Sequence, residues 1–180
     1  LESALVELDL DNEVDGVLTI SDQIKELEEI DLSHSEIVNA NTLIYFKNLT
    51  DLDLSHNDLT SIDLSQNQNL TDLNLYRNDL TSIDLSHNFN LTDLNLSSNH
   101  FLINGRIDYM GSLEYLNIND TKIGGILNHL KKMPSLETLY ASSCAANMDE
   151  VVFPESLKQV VINNNNINNL VFKNCTSLEE

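Results

Sequence analysis

Basic side chains are scarce in this chain: nine Lys and Arg stand against 29 Asp and Glu in 180 residues, for a formal net charge of −20. A protein holds a phosphate backbone by clustering Lys and Arg to displace counterions, and nine scattered residues provide no such cluster, so nucleic acid is not an expected partner. Anionic membrane surface is disfavoured for the same reason. Cysteine is nearly absent, with only Cys144 and Cys175, which fall at different phases of the repeat described below. No disulfide framework and no compartment is implied. No apolar run approaches the ~18 residues of a membrane-spanning helix, so membrane insertion is not expected. Leu1 opens no basic n-region with an apolar stretch behind it, so the chain reads as a cytosolic protein or a trimmed fragment. A glycine-rich phosphate loop, a paired-cysteine motif and a convergent Ser-His-Asp set are missing as well. No catalysis is expected and no cofactor is required.

What the chain does have is apolar content, 41%, arranged with a period. LTDLDLSHNDLTSIDLSQNQN from Leu49 is followed by LTDLNLYRNDLTSIDLSHNFN from Leu70 and LTDLNLSSN from Leu91. Repeat starts fall at Leu27, Leu49, Leu70, Leu91, Leu113, Leu136, Leu157 and Leu178, giving lengths of 22, 21, 21, 22, 23, 21 and 21 residues. Self-similarity at such a period marks a solenoid, because one repeat cannot bury its own apolar face and copies must stack.

Each repeat carries a short alternation such as Leu52-Asp53-Leu54, which predicts a strand with leucines on one face. Stacked copies make a parallel sheet on the inner side of the solenoid. Asn57, Asn78, Asn99 and Asn165 follow the strands, where a buried amide can satisfy turn backbone; Ser35, Thr121 and Cys144 take that place elsewhere. Asn57, Asn67, Asn78, Asn88 and Asn99 are spaced 10, 11, 10 and 11, so each central repeat holds two half-repeats. SIDLSQN from Ser61 and SIDLSHN from Ser82 are expected as extended segments on the outer side. Ile123, Ile126, Leu127, Leu130 and Met133 recur at helical spacing before Pro134, predicting one or two helical turns.

The register matches L-x-x-L-x-L-x-x-N/C-x-L, and residues 49 to 99 resemble the bacterial 21-residue leucine-rich-repeat class, common among cell-surface proteins; the match loosens from Phe101 onward. The resemblance implies a mostly β, α/β-type repeat solenoid: a leucine-rich-repeat right-handed superhelix with a parallel inner sheet and few helices. It also implies a non-enzymatic module binding a protein or glycan, extracellular or at a bacterial cell surface. An accessory recognition domain of a larger secreted enzyme or effector, and a cytosolic regulatory scaffold, remain alternatives, because a repeat scaffold hosts unrelated functions.

Residues 1–26 read as an amino-terminal capping segment and 27–180 as the solenoid. Within the first, residues 11–22 fit an EF-hand-like loop: Asp11, Glu13, Asp15 and Asp22 at loop positions 1, 3, 5 and 12, glycine at 6, and the Val17 carbonyl as a further oxygen. Glu13 is longer and Asp22 shorter than the usual ligand, so calcium bound weakly or an acidic turn without metal are both open. Surface proteins of the same class carry a similar acidic segment, a short helix and then the repeats, and IYFKNLT looks like that junction. At the other end, Leu178-Glu179-Glu180 opens a ninth stretch of repeat with no visible polar cap, and the solenoid is expected to continue or to be covered there.

The non-leucine strand positions face the inner surface, where equivalent side chains of adjacent repeats lie ~5 Å apart. One column reads Glu29, Asp51, Asp72, Asp93, Tyr115, Thr138 and Gln159; its neighbour reads Asp31, Asp53, Asn74, Asn95, Asn117, Tyr140 and Val161. Residues 1 to 100 hold 3 basic and 20 acidic side chains, a net −17, against −3 for the rest. Paired carboxylates repel by roughly 0.8 kcal/mol even in water. A cation or basic partner would relieve that, and solvent screening is the alternative. Tyr76, Arg77, Tyr115 and Tyr140 sit on or beside this face and are the residue types that anchor interfaces, or else spacers that shield the sheet. His34 and His56 share a repeat position near Asp31 and Asp53, as exposed decoration or a weak metal patch.

Overall fold

The computed structural model describes residues 22–107 and 109–179. After a one-turn helix α1 (Asp22–Glu26), the strands β1 (Glu29–Asp31), β2 (Asp51–Asp53), β3 (Asp72–Asn74), β4 (Ser82–Asp84), β5 (Asp93–Asn95), β6 (Asn104–Arg106), β7 (Tyr115–Asn117), β8 (Thr138–Tyr140), β9 (Asn147–Val152), β10 (Gln159–Val161) and β11 (Asn166–Val171) follow. Seven of them form one parallel sheet in the order β1-β2-β3-β5-β7-β8-β10, one strand per turn of a solenoid. The chain is mostly β, as the alternation implies. β4 and β6 pair in parallel on the outer side, and so do β9 and β11.

The inner strands are three residues long because only one residue in each must be buried. Leu52, Leu73, Leu94, Leu116 and Leu139 point inward at the strand centres, and Leu54, Leu75 and Leu96 follow them into the same core, all nearly solvent-free. Fully burying one such side chain contributes roughly 1.5–3 kcal/mol, which a single repeat cannot collect without neighbours. Register follows from the pattern: Leu52 faces Leu73, Leu73 faces Leu94 and Leu116 faces Leu139. A one-residue slip would move every leucine into water.

The asparagines behind the strands tie turn to turn. Asn78 Nδ2 donates to the Leu54 carbonyl at 2.9 Å and the Leu75 carbonyl at 3.2 Å, while its Oδ1 accepts the Leu59 N–H at 3.0 Å. Asn57, Asn99 and Asn165 repeat the arrangement. Thr121 Oγ1 keeps only the bond within its own repeat, to the Ile118 carbonyl, whereas Cys144 Sγ bonds the Ala141 carbonyl and also meets Asn165 Oδ1 of the next repeat at 3.5 Å. A second ladder runs along the outer corner, where Phe46, Asn67, Asn88, Met110 and Met133 occupy equivalent places. Asn67 and Asn88 each donate to two carbonyls there, but their Oδ1 atoms are buried without a partner.

Two sequence expectations change in the structure. Ser82–Asp84 does form an outer strand, but residues 61–64 make no ladder. The segment before Pro134 is a nine-residue 3-10 helix, Gly124–Lys132, whose bonds include Ile126 N–H to Ile123 and, at its end, Met133 N–H to Leu130. Tight winding suits its close contact with the segment leading into β9: Gly124 N–H donates to the Cys144 carbonyl at 2.7 Å, and a Cβ on Gly124 would stand 2.5 Å from the Ala146 nitrogen. The acidic loop residues Asp11, Glu13, Asp15 and Val17 lie outside the described residues, and Asp22 is the first residue of α1.

Candidate functional site

The parallel register brings the two predicted columns together. Glu29, Asp51, Asp72 and Asp93 face one another across β1, β2, β3 and β5, and Tyr115 continues the column on β7. With Asp31 and Asp53 they line a shallow groove of about 600 Å³ on the inner face. Tyr140 stands beside Tyr115, ring centroids 5.9 Å apart.

The columns differ in chemistry. Asp31 Oδ1 accepts the Ser33 N–H at 2.9 Å and Asp53 Oδ1 the Ser55 N–H at 2.7 Å. Asn74, Asn95 and Asn117 do the same two residues on. Where Asp or Asn holds this position, its short side chain supplies the acceptor oxygen that closes the turn, whereas after Tyr140 and Val161 the N–H two residues on goes to Asn119 Oδ1 and Ser142 Oγ instead. Sequence reasoning missed this role, although the alternation of Asp with Asn in a single column was its signal. The Ser33 hydrogen bonds hold the Asp31 carboxyl below the usual carboxylate range. Asp53 Oδ2 is occupied as well, by Asn74 Nδ2 at 2.9 Å.

The first column carries the less committed charge. Thr50 Oγ1 donates to Asp51 Oδ2 at 2.8 Å. Asp72 lies between Asp51 and Asp93; its partial burial, then those two carboxylates, push its carboxyl above the usual range, against a hydrogen bond from Thr71. A cation or cationic side chain in this groove would relieve that cost.

Tyr76 and Arg77 do not line the groove. The strand turns sharply behind β3, and Arg77 has a left-handed backbone, φ 57°, matched by His34, His56, Ser98, Asp120, Ser143 and Asn164 at φ 54–57°. In that conformation the N–H groups of all but Asn164 reach a carbonyl of the next repeat, as Arg77 reaches Ser97 at 3.0 Å. The side chains are thereby turned onto the rim, where His34 stacks on His56 at 4.0 Å and Tyr76 meets His56 edge-on at 5.0 Å. Among the described residues, no group of three or more His, Cys, Asp or Glu is arranged to hold a metal ion.

A Leucine Rich Repeat family model matches residues 48–70. No curated protein matches the chain by sequence. Among solved structures, the chain is similar to the functional domain of InlJ from Listeria monocytogenes, described as including a cysteine ladder, at 25% identity over 81% of this chain and 36% of that one, TM-score 0.55. A leucine-rich-repeat protein of Leptospira interrogans shares the fold at 22% identity over 84% of this chain and 50% of that one, TM-score 0.55. So does an internalin from L. monocytogenes, at 18% identity over 92% of this chain and 62% of that one, TM-score 0.56. The chain thus spans between about a third and three fifths of the length of these proteins. Cys144 here occupies one rung of the inner ladder, beneath Asn165.

Proposed function

We propose that this chain is a non-enzymatic binding module whose inner face recognises a basic segment of a protein partner, or a glycan, at a bacterial cell surface. The observation that carries the reading is the run Asp51, Asp72, Asp93 beside Tyr115 and Tyr140: aligned carboxylates, one of them at elevated pKa, next to the aromatic residues that anchor interfaces. A leucine-rich-repeat solenoid is an architecture that presents extended concave binding surfaces, and its bacterial structural neighbours support the surface location. The segment before α1 serves in this reading as a cap holding a weak calcium site.

Asp31, Asp53 and Asp72 are the residues to neutralise, since Asn at the first two keeps the turn closed as Asn74 does. A fluorescein-labelled peptide of alternating Lys and Tyr, followed by stopped-flow polarisation, should associate with the parent chain at a rate that falls steeply with salt. The triple Asn variant should associate about tenfold more slowly, with a flatter salt dependence. Unchanged kinetics would remove the groove as the site.

A further inference from the structure

The outer side carries a second surface of opposite character. Phe89 and Tyr109 are 60% and 68% exposed, and Phe101 and Ile103 in the repeat of Tyr109 are exposed as well. With Leu85, Ile107 and Met110 they wall a pocket of about 190 Å³, room for one large apolar side chain. Arg106 stands at its mouth and also borders a neighbouring depression of about 370 Å³, which Ile103 and Ile126 line on its apolar side. Exposed aromatics around an apolar pocket make a poor solvent-facing surface and a good anchor site.

Charge selects the occupant. Four of the chain's nine basic residues, Arg106, Lys122, Lys131 and Lys132, fall within residues 106–132 of a protein whose net charge is −20. Three acids share that stretch: Asp108, and Glu114 and Asp120, which flank β7 of the inner sheet. Lys132 Nζ lies 3.9 Å over the Tyr109 ring. Arg106 Nη1 pairs with Asp84 Oδ2 at 2.9 Å, but the Arg106 side chain is 72% exposed, and one carboxylate engages only part of its fork. An exposed pair of this kind contributes little stability, and the remaining guanidinium donors can take a second carboxylate.

We infer that the outer surface around Phe89, Arg106, Tyr109 and Lys132 is a docking site for an acidic peptide segment that seats one large apolar side chain in the pocket and sets an adjacent carboxylate on Arg106. This site is independent of the inner groove and takes the opposite charge. A second copy of the chain, offering its acidic face, is the competing occupant.

Fluorescence polarisation with fluorescein-labelled Asp-Glu-Phe-Leu-Glu-Asp tests the inference. The parent chain should bind it, and replacing Phe and Leu of the peptide by Ala should weaken binding about tenfold or more. Phe89→Ala with Tyr109→Ala, and separately Arg106→Gln with Lys132→Gln, should each weaken it to a similar extent, with melting curves confirming that both variants fold. Asp51→Asn with Asp72→Asn, on the inner face, should leave the affinity unchanged or slightly raised. No binding at millimolar protein, or equal binding by parent and both outer-surface variants, overturns the proposal. Self-association of the parent in sedimentation equilibrium, abolished by the same variants, would assign the surface to a second copy instead.

Discussion

The imidazole rings of His34 and His56 lie one above the other, centroids 4.0 Å apart and planes 15° from parallel. Both residues hold left-handed backbone at the rim, so the repeat itself sets their stacking. Partial burial, then the nearby His34 and Arg77, lower the His56 pKa, and Asp53 opposes them more weakly. Because the folded value lies below the unfolded one, of about 6.5, the folded state binds fewer protons. The stability contributed is present above that pH and is lost as pH falls from there through the folded value. Thermal melts at pH 7.5 and 5.5 should therefore show a larger drop for the parent chain than for His34→Gln with His56→Gln. Equal drops would mean that the stack does not resist protonation.

Asp72 has the opposite sign. Its folded pKa is raised, so its charge costs the native state stability at pH values above the carboxylate range and nothing once it is protonated. Asp72→Asn should raise the melting temperature at pH 7 by roughly 2–4 °C, the equivalent of about 1 kcal/mol of burial cost and repulsion relieved after solvent screening. The gain should fade below about pH 4. A destabilised variant at neutral pH would show that the carboxylate is already compensated.

The two asparagine ladders should respond unequally. Asn78→Ala leaves the buried Leu59 N–H without a partner and strips one of two amide donors from each of the Leu54 and Leu75 carbonyls, which keep Asn57 and Asn99, at a cost of roughly 2–3 kcal/mol. Asn88→Met also loses two bonds, but it removes an orphaned Oδ1 and installs the residue found at positions 110 and 133 of the same column. Its cost should stay below about 1.5 kcal/mol. Urea denaturation midpoints measure both, and similar losses would contradict the distinction.

Ser98 tests the left-handed column. Its φ of 57° places a side chain where β-branching is strained. Ser98→Val should cost about 1–2 kcal/mol, whereas Ser98→Gly and Ser98→Asn should be near neutral. Val tolerated without loss would show that the turn can relax.

Calcium at residues 11–22 makes a separate prediction. Calcium above millimolar should raise the melting temperature by binding the folded state, and Asp11→Ala with Asp15→Ala should abolish the rise. Identical curves with calcium and with chelator reduce the segment to an acidic turn.

Period and alternation are enough to dictate most of the architecture. Leu52, Leu73 and Leu94 must share a face because strand side chains alternate, and their repeat spacing then sets the parallel register that aligns Asp51, Asp72 and Asp93. That much is a property of spacing alone. Spacing does not reveal that Asp31 and Asp53 close turns, because a carboxylate at a binding face and one accepting a backbone N–H look alike in sequence. Nor does it place Tyr76 and Arg77, which reach the rim only because Arg77 adopts a left-handed conformation to meet the Ser97 carbonyl of the next repeat. The outer half-repeats are decided in the same way. Ser61 and Ser82 begin identical SIDLS segments, yet only Ser82–Asp84 becomes a strand, paired with β6 of the following repeat. Side-chain alternation is local to one repeat, whereas backbone pairing belongs to two, and what depends on the second repeat is fixed only by stacking.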